Sequence, residues 1–422
     1  MICDKISKCR ICGNTNLDFI LSLGEQALTG IFPKNKEDIV PQAPLQLVKC
    51  SEDESRKTCG LLQLNHSFDM GQLYGDNYGY RSGLNQSMVN HLNSRVKQIE
   101  KIVKLCDGDP VIDIGSNDST LLRSYANRNL QLIGIDPTGK KFKNYYPEDV
   151  LLIPDFFSAE LVQNRVKDRK VKVVTSIAMF YDLENPVPFM QEIFNILDDD
   201  GIWVFEQSYM PGMLESVAYD TICHEHLEYY GLKQIKWMTD IVGFKIIDVE
   251  LNNVNGGSFC VTVAKKSSNI KSSDKPDLLI KRELDMNLNC VSPYLEFKKE
   301  LEKHKEKLLN FLYLEQKKGK TIFGCGASTK GNVILQYCGL SAKEIPFISE
   351  VNEDKFGAFT PGTKIPIISE KDARDKNPDY FLVLPWHFKD SIYKREQEFL
   401  SKGGKLIFPL PDIKILSMDS DV

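Results

Sequence analysis

The chain has 422 residues, with 42% hydrophobic and 26% charged side chains, which is the composition of an ordinary globular protein with two to three domains. A net charge of −5 does not indicate the basic surface that nucleic-acid-binding proteins carry. No apolar run reaches membrane-spanning length, and the opening MICDKISKCR lacks the apolar core of a signal peptide. We therefore expect a cytoplasmic protein without nucleic-acid or membrane partners, either a monomer or a small homo-oligomer.

The first segment, residues 1–75, contains short apolar runs (LDFILSLG, LLQLNHSF) that predict a small β-rich module. Cys9 and Cys12 form a CxxC turn followed by glycine, and Cys50 and Cys59 form a second pair with a longer gap. Four thiolates on such turns favour a closed structural zinc site. A redox CxxC or simply buried thiols are the alternatives.

Over residues 76–266, the apolar runs PVIDIG, LQLIGID, VKVVTSIAMF and GIWVFEQ alternate with helix-length segments. This pattern predicts a Rossmann-like α/β domain whose parallel sheet is covered on both faces. The dinucleotide fingerprint GxGxxG is absent, because Asn117 and Asp118 follow Gly115, and Asp118 would repel a pyrophosphate.

Two carboxylates stand at the ends of consecutive predicted strands in this domain. Asp113 precedes the turn at Gly115, and Asp136 ends the next strand, where an acid is placed to bind ribose hydroxyls. Acidic residues around the turn suit a ligand with a positively charged amino acid portion. The pattern therefore favours S-adenosylmethionine over NAD, with an ordinary acidic turn as the alternative.

The run His224-Glu225-His226 brings together two of the six histidines of the chain and a carboxylate. Imidazole beside carboxylate is typical of groups that move protons near neutral pH. The same three residues would also be found in a surface segment without function or in a segment that provides two metal ligands.

Residues 267–318 read as a polar linker (SSNIKSSDKPD) and a charged helix, and residues 319–422 as a second α/β domain with strands KTIFGCGA, IPFISEV, YFLVLPW and GGKLIFPLP. Ser328 and Lys330 open a helix directly after a glycine-rich strand end. Backbone amides at such a position favour anions, although a purely structural turn is equally consistent.

The motifs DIGSNDSTLL, GIDPT, YGYRSGLNQSM, YDTICHEHLEYY and NNVNGGSF, taken in order, resemble the sugar C-methyltransferase family. The resemblance covers nearly the whole chain, including the N-terminal zinc module and the C-terminal α/β domain. It implies a transferase that uses S-adenosylmethionine and methylates a carbon of a nucleotide-linked keto-deoxysugar.

The resemblance also implies roles for individual residues. In the cofactor site, Asp113, Gly115, Asn117 and Asp118 would surround the methionine part, Asp136 would bind the ribose, and Phe156 and Phe157 would lie near the adenine. In the catalytic site, His226 would remove a proton next to a keto group, with Glu225 orienting an imidazole, His224 binding the sugar or the enolate oxygen, and Tyr78 or Tyr80 supplying a phenol. The substrate would contact Cys223, Asn255, Ser258, Ser328 and Lys330, the last two through its diphosphate.

Two departures from the family pattern affect the expected substrate. Cys223 stands where the family generally has tyrosine, and Phe180 and Tyr181 stand where it has a histidine. Methylation of a different activated sugar, or of oxygen or nitrogen, is therefore an alternative. A zinc-ribbon binding protein without catalysis is a second alternative.

Overall fold

The computed structural model describes residues 3–68, 71, 80–167 and 169–420. The N-terminal part is β-rich, as expected. A two-stranded sheet pairs β1 with β5, and a four-stranded antiparallel sheet has the order β11-β4-β3-β2. These strands are β1 (Cys3–Lys5), β2 (Leu17–Ala27), β3 (Gln42–Cys50), β4 (Leu62–Leu64), β5 (His66–Phe68) and β11 (Glu228–Tyr229). The last of them lies two residues after His226, so the run 224–226 is attached to the N-terminal sheet.

The second sheet has seven strands in the order β12-β13-β10-β9-β6-β7-β8. Its strands are β6 (Pro110–Ile114), β7 (Gln131–Ile135), β8 (Val150–Ile153), β9 (Val171–Ile177), β10 (Leu197–Ser208), β12 (Phe244–Asn252) and β13 (Ser258–Lys265). Neighbours from β8 to β10 are parallel, but β13 is antiparallel to both β10 and β12. The prediction of a purely parallel sheet was therefore wrong at this edge. A short connection between β12 and β13 cannot cross over the sheet and has to reverse direction.

Helices cover this sheet and link it to the rest of the chain. They are α1 (Gln86–Ile102), α2 (Gly139–Phe142), α3 (Ala159–Val166), α4 (Pro186–Ile196), α5 (Met210–Glu215) and α6 (Leu232–Val242), followed by α7 (Lys275–Asp285) and α8 (Ser292–Lys317). Between β6 and β7 the chain forms only a single 3₁₀ turn over Leu122–Ser124. Asp118 and Thr120 bond to each other there instead of capping a longer helix. None of the described helices is long and apolar enough to cross a membrane.

The C-terminal part is a second α/β unit with strand order β16-β15-β14-β17-β18-β19. Its strands are β14 (Ile322–Cys325), β15 (Ile348–Glu350), β16 (Ile367–Ser369), β17 (Tyr380–Val383), β18 (Lys405–Phe408) and β19 (Lys414–Leu416), and only β19 is antiparallel. Its helices are α9 (Thr329–Cys338), α10 (Glu370–Asp375), α11 (Lys389–Arg395) and α12 (Gln397–Ser401). The four strands expected from sequence are all present.

The N-terminal sheet and the C-terminal unit share one hydrophobic core, although they are far apart in sequence. Leu45 and Leu47 of β3 lie in the same cluster of buried side chains as Val333 and Leu335 of α9. The Gln336 side chain also bonds to both the backbone N–H and the carbonyl of Ala27. The two ends of the chain are therefore packed against each other.

Candidate active site

Four cysteines converge in the N-terminal module. The Sγ atoms of Cys9, Cys12, Cys50 and Cys59 all lie within 4.8 Å of one another, and the Cys9–Cys59 and Cys12–Cys50 pairs are 3.4 and 3.6 Å apart. Zinc with sulfur ligands at about 2.3 Å needs sulfur atoms roughly 3.8 Å apart, so the four thiolates fit a tetrahedral ion. They leave no position for a substrate, which is typical of a structural site.

A cleft of about 230 Å³ opens at the carboxyl ends of β6, β7 and β8. Six of the seven expected cofactor residues line it: Asp113, Gly115, Asn117, Asp136, Phe156 and Phe157. Parallel strands place their carboxyl ends at one edge of the sheet, and the loops that follow them form the ligand crevice.

Two carboxylates of the cleft differ in how they are held. Asp113 is buried and accepts a hydrogen bond from the Thr175 hydroxyl at 2.6 Å, and burial raises the pKa of Asp113 to about 7. Asp136 accepts hydrogen bonds from the backbone of Asn117 and from Thr138. Asp136 thereby holds the turn after β6 in place while it lines the cleft.

Aromatic side chains form the opposite wall. Phe156 is 52% exposed although it is a large apolar residue, and its ring lines the cleft. Phe157 packs edge-on against Phe189, with ring centroids 5.1 Å apart. An exposed flat ring beside a cleft is available to stack on a base.

Asp118 was expected to surround the methionine part of the cofactor, but its side chain does not line the cleft. Its carboxylate accepts hydrogen bonds from the backbone of Gly83 and from the Thr120 hydroxyl. The side chain therefore anchors the segment before α1, and a carboxylate occupied in this way is not offered to a ligand. Tyr80 lines the cofactor cleft, so it does not join the histidine run, while Tyr78 lies outside the described residues.

Two further carboxylates, Asp155 and Asp182, also line the cleft and were missed from sequence. Asp155 lies two residues after the end of β8 and precedes Phe156, so the rule that placed Asp113 and Asp136 near strand ends also covers it. Asp182 lies in a short 3₁₀ turn, Phe180–Asp182, which follows β9 and gives no such signal. Together the four carboxylates give the cleft a negative field suited to a cationic ligand.

The turn Phe180–Asp182 joins the cleft to the histidine run. Asp182 lines the cleft, while the neighbouring Tyr181 ring lies 4.3 Å from the His226 ring, centroid to centroid. The backbone N–H of Leu227 also donates to the Tyr181 carbonyl at 2.9 Å. The run at 224–226 therefore borders the cofactor cleft, with this turn between them.

His226 is held as a neutral imidazole, and its Nε2 has no hydrogen-bond partner within the described parts of the chain. Its Nδ1–H donates to the Thr221 carbonyl at 2.8 Å, which leaves Nε2 as the acceptor of that tautomer. Burial, and then the charge of Lys330, lower the pKa of His226 to about 3. The expectation of an imidazole that titrates near neutral pH was wrong, because desolvation disfavours the imidazolium.

The other two members of the run face elsewhere. Glu225 accepts a hydrogen bond from the Thr29 hydroxyl at 3.3 Å and is paired with Cys223, so among the described residues it does not orient an imidazole. His224 is fully buried, with Nε2 3.2 Å from the Ala43 carbonyl and its ring edge against Phe68. Both side chains thus point toward the N-terminal module, which corrects the roles expected for them. His224 and Glu225 occupy the centre of a turn that the His226 N–H closes by donating to the Cys223 carbonyl at 3.2 Å, so their side chains leave the run on a different side from His226.

A cationic group from the C-terminal unit completes this region. Lys330, in the first turn of α9, donates from Nζ to the Asn255 carbonyl at 2.6 Å and lies within electrostatic range of Asp220 and Cys223. Asp220 is buried and accepts from the Trp386 indole N–H at 2.8 Å. Lys330 therefore faces the histidine run. Its side chain, which was expected to bind the diphosphate of the substrate, is turned toward the protein interior.

The remaining expected substrate residues have local bonds. The Ser258 hydroxyl donates to the Val254 carbonyl, and the Ser328 hydroxyl caps α9 by accepting from the Gly331 N–H. Asn255 adopts a left-handed backbone conformation with φ of 54° in the turn before β13. Cys223 is fully buried beside Glu225, and burial raises the pKa of its thiol well above the usual value.

Three family models match consecutive parts of the chain. They are described as "Putative zinc binding domain" over residues 9–74, "Methyltransferase domain" over 90–249 and "C-methyltransferase C-terminal domain" over 253–411. The Rossmann-like sheet, the acidic cleft and the match over 90–249 define an S-adenosylmethionine-dependent methyltransferase. The matches on either side add a zinc-binding domain before this domain and a C-methyltransferase domain after it. This overturns the alternative of a zinc-binding protein without catalysis.

A curated relative supports this assignment over the full length. C-methyltransferase NovU from Streptomyces niveus is 28% identical over 418 residues, which cover 98% of each chain. Among solved structures, the plantazolicin methyltransferase BpumL in complex with S-adenosylhomocysteine covers 41% of this chain and 82% of its own, with 11% identity and a TM-score of 0.33. The CcbJ methyltransferase from Streptomyces caelestis covers 41% and 89%, with 9% identity and a TM-score of 0.32.

Proposed function

We propose that the protein transfers a methyl group from S-adenosylmethionine to a carbon of a nucleotide-linked keto-deoxysugar. The observation that carries this proposal is the contact between the two sites. The turn Phe180–Asp182 lines the cofactor cleft on one side and packs against His226 on the other. A base that borders the methyl donor is what carbon methylation requires, because an unactivated C–H carbon is not nucleophilic.

His226 is the proposed base. Its Nδ1–H is committed to Thr221, so Nε2 is available to take the proton next to the ketone. The C–H bond breaks, an N–H bond forms on Nε2, and the electron pair moves into the enolate. Removing a proton by a positioned group contributes about 100-fold to 10,000-fold in rate.

Lys330 is proposed to stabilise the enolate oxygen in place of a phosphate. The side chain lies between Asn255 and Asp220, close enough to His226 to lower its pKa. A fixed cation acts strongly on a developing negative charge where water is excluded. S-adenosylmethionine supplies an electrophilic methyl group, and the enclosing residues hold the two reactants in line.

We also propose a division of labour among the segments. Residues 1–75 form the zinc module, 76–266 the cofactor-binding domain, 267–318 a linker and helix, and 319–422 a domain that contacts the nucleotide-linked sugar. Lys355 supports the last assignment, because it lies at the glycine-rich turn after β14, donating to the Ala327 carbonyl with Phe32 of the N-terminal module beneath it. A cation where the domains meet suits an anionic diphosphate.

The test is incubation of the purified protein with S-adenosylmethionine and thymidine or uridine diphosphate-linked 4-keto-6-deoxyhexoses, followed by mass spectrometry. A product heavier by one methylene with every hydroxyl free supports carbon methylation, whereas an acid-labile or O-linked methyl would favour the alternative acceptor. His226→Ala should retain S-adenosylmethionine binding by calorimetry and lose at least about 100-fold in turnover. Wild-type turnover in that variant would exclude His226 as the base.

A further inference from the structure

Glu228, two residues after His226, is buried without the partners that a carboxylate needs. Its side chain is fully inaccessible, and neither carboxylate oxygen has a hydrogen-bond partner among the described residues. The nearest cation is Arg10, whose Nε lies 3.9 Å away and is also without a partner. An orphaned buried carboxylate is costly, and in native proteins it marks a bound water or a function.

Arg10 is fixed by the zinc module. It stands between Cys9 and Cys12, and its terminal nitrogens donate to the Leu64 and His66 carbonyls at 2.7 and 2.9 Å. With both ends of the guanidinium engaged, only Nε remains directed at Glu228. The ion pair with Arg10 therefore stabilises the buried Glu228 carboxylate only in part, because no direct hydrogen bond joins the two groups.

A cavity connects Glu228 with the proposed base. It has a volume of about 10 Å³ and is lined by Tyr181, Ser208, Met210, Met213, Thr221, His226, Glu228 and Tyr229. The Tyr229 hydroxyl is also without a partner among the described residues. A space of about this size is the smallest that admits one water molecule, and the Glu228 carboxylate and the Tyr229 hydroxyl are the polar groups to which such a water would bond.

We propose that Glu228 receives, through a water in this cavity, the proton that His226 removes from the substrate. The N–H bond on Nε2 breaks, the water takes that proton and gives one of its own to a carboxylate oxygen of Glu228, and the carboxylic acid releases it again through the same cavity water after the product has left. Glu228 does not touch the substrate. It is a positioning residue that acts through His226, and its role rests on the proposed function.

The charges around Glu228 set the direction of this transfer. Burial, Asp182 and Glu184 raise the pKa of Glu228, Arg10 opposes them, and the result lies well above the usual value. His226 instead has its pKa lowered to about 3, so the proton moves from the weaker to the stronger base. The transfer returns His226 to the neutral form in which Nε2 can accept the next proton.

The test measures deuterium uptake at the substrate carbon in D₂O, using the diphosphate-linked 4-keto-6-deoxyhexoses with S-adenosylhomocysteine, so that no methyl is transferred. We expect Glu228→Gln to slow exchange about 100-fold with unchanged affinity for S-adenosylhomocysteine. In the wild type, exchange should rise with pH as Glu228 loses its proton, and in Glu228→Gln this rise should disappear. Glu228→Asp, which keeps the carboxylate, should retain the pH dependence and serves if Glu228→Gln fails to fold.

Glu396→Gln is the matched control, because Glu396 is a buried carboxylate paired with Arg374 in the C-terminal unit. It should exchange like the wild type. Exchange at the wild-type rate with an unchanged pH profile in Glu228→Gln, or a lost pH profile in Glu228→Asp, would overturn the relay while leaving the proposed function intact. No exchange by the wild-type protein with any of these sugars would overturn the proposed function and the relay with it.

Discussion

Single residues in the cofactor cleft are tuned by burial. Asp113 lies at the end of β6 with Thr175 as its hydrogen-bond donor, and its pKa of about 7 places its ionisation in the physiological range. Phe156 is exposed beside it, where packing within the protein gives no reason for a large apolar ring. These two side chains allow the cofactor site to be tested without knowing the sugar.

We expect the affinity for S-adenosylmethionine to fall about 10-fold from pH 8 to pH 6. Asp113 is ionised above its pKa of about 7 and neutral below it, and the cationic cofactor prefers the ionised form. Calorimetry at pH 6, 7 and 8 measures this. Thr175→Val removes the hydrogen bond that stabilises the carboxylate and should move the midpoint to higher pH. A flat affinity over this range would contradict the role of Asp113.

Phe156→Ala should weaken binding of S-adenosylhomocysteine by about 2-fold to 10-fold, the effect of losing one aromatic stacking contact. Because the ring is half exposed, the melting temperature should barely change. Phe19→Ala is the control, since Phe19 is 54% exposed on β2 of the N-terminal sheet. Equal losses of affinity in both variants would argue against stacking.

At the level of elements, the turn after β6 determines the shape of the cleft. Gly115 has φ of 76°, and a Cβ added there would meet the Met179 side chain at 3.2 Å. Met179 itself lines the cleft. The turn therefore depends on glycine for its backbone conformation and for the room it leaves to a cleft side chain.

Gly115→Ala should cost about 1 to 2 kcal/mol of unfolding free energy and also weaken S-adenosylmethionine binding, because Met179 is displaced into the cleft. Gly339→Ala provides a matched comparison, since Gly339 has φ of 66° at the end of α9 with nothing within 4 Å of an added Cβ. Urea denaturation should show similar destabilisation of both variants. Normal cofactor affinity in Gly115→Ala would show that Met179 adjusts without cost.

In the molecule as a whole, the zinc module contacts the strand that follows the histidine run. The strand β11, immediately after His226, pairs with β4 of the N-terminal sheet. Arg10, between two of the zinc cysteines, approaches Glu228 on the same strand. A structural metal stabilises its own module, and here the module positions residues that lie more than 200 positions later in the chain.

Cys9→Ser should therefore reduce zinc content and turnover together while S-adenosylmethionine binding persists, because the cofactor cleft is built on a different sheet. Metal analysis, calorimetry and turnover of the same preparation provide the three measurements. Cys106→Ser, at an exposed cysteine outside the cluster, should leave all three unchanged. Full turnover without zinc would show that the module is dispensable for catalysis.

The local chemistry of the two sites follows from short stretches of the amino-acid sequence. Strand-end carboxylates such as Asp113 and Asp136, the CxxC turn and the order of the motifs depend on neighbours in the chain, so the cofactor cleft and the zinc cluster could be predicted. The surroundings of the histidine run, in contrast, depend on how distant segments pack. Burial lowers the pKa of His226, while Glu225 and His224 bond to the N-terminal module. Lys330 and Arg10 reach this region from opposite ends of the chain. Desolvation and long-range charge arise only when distant segments pack together, and no local pattern records them.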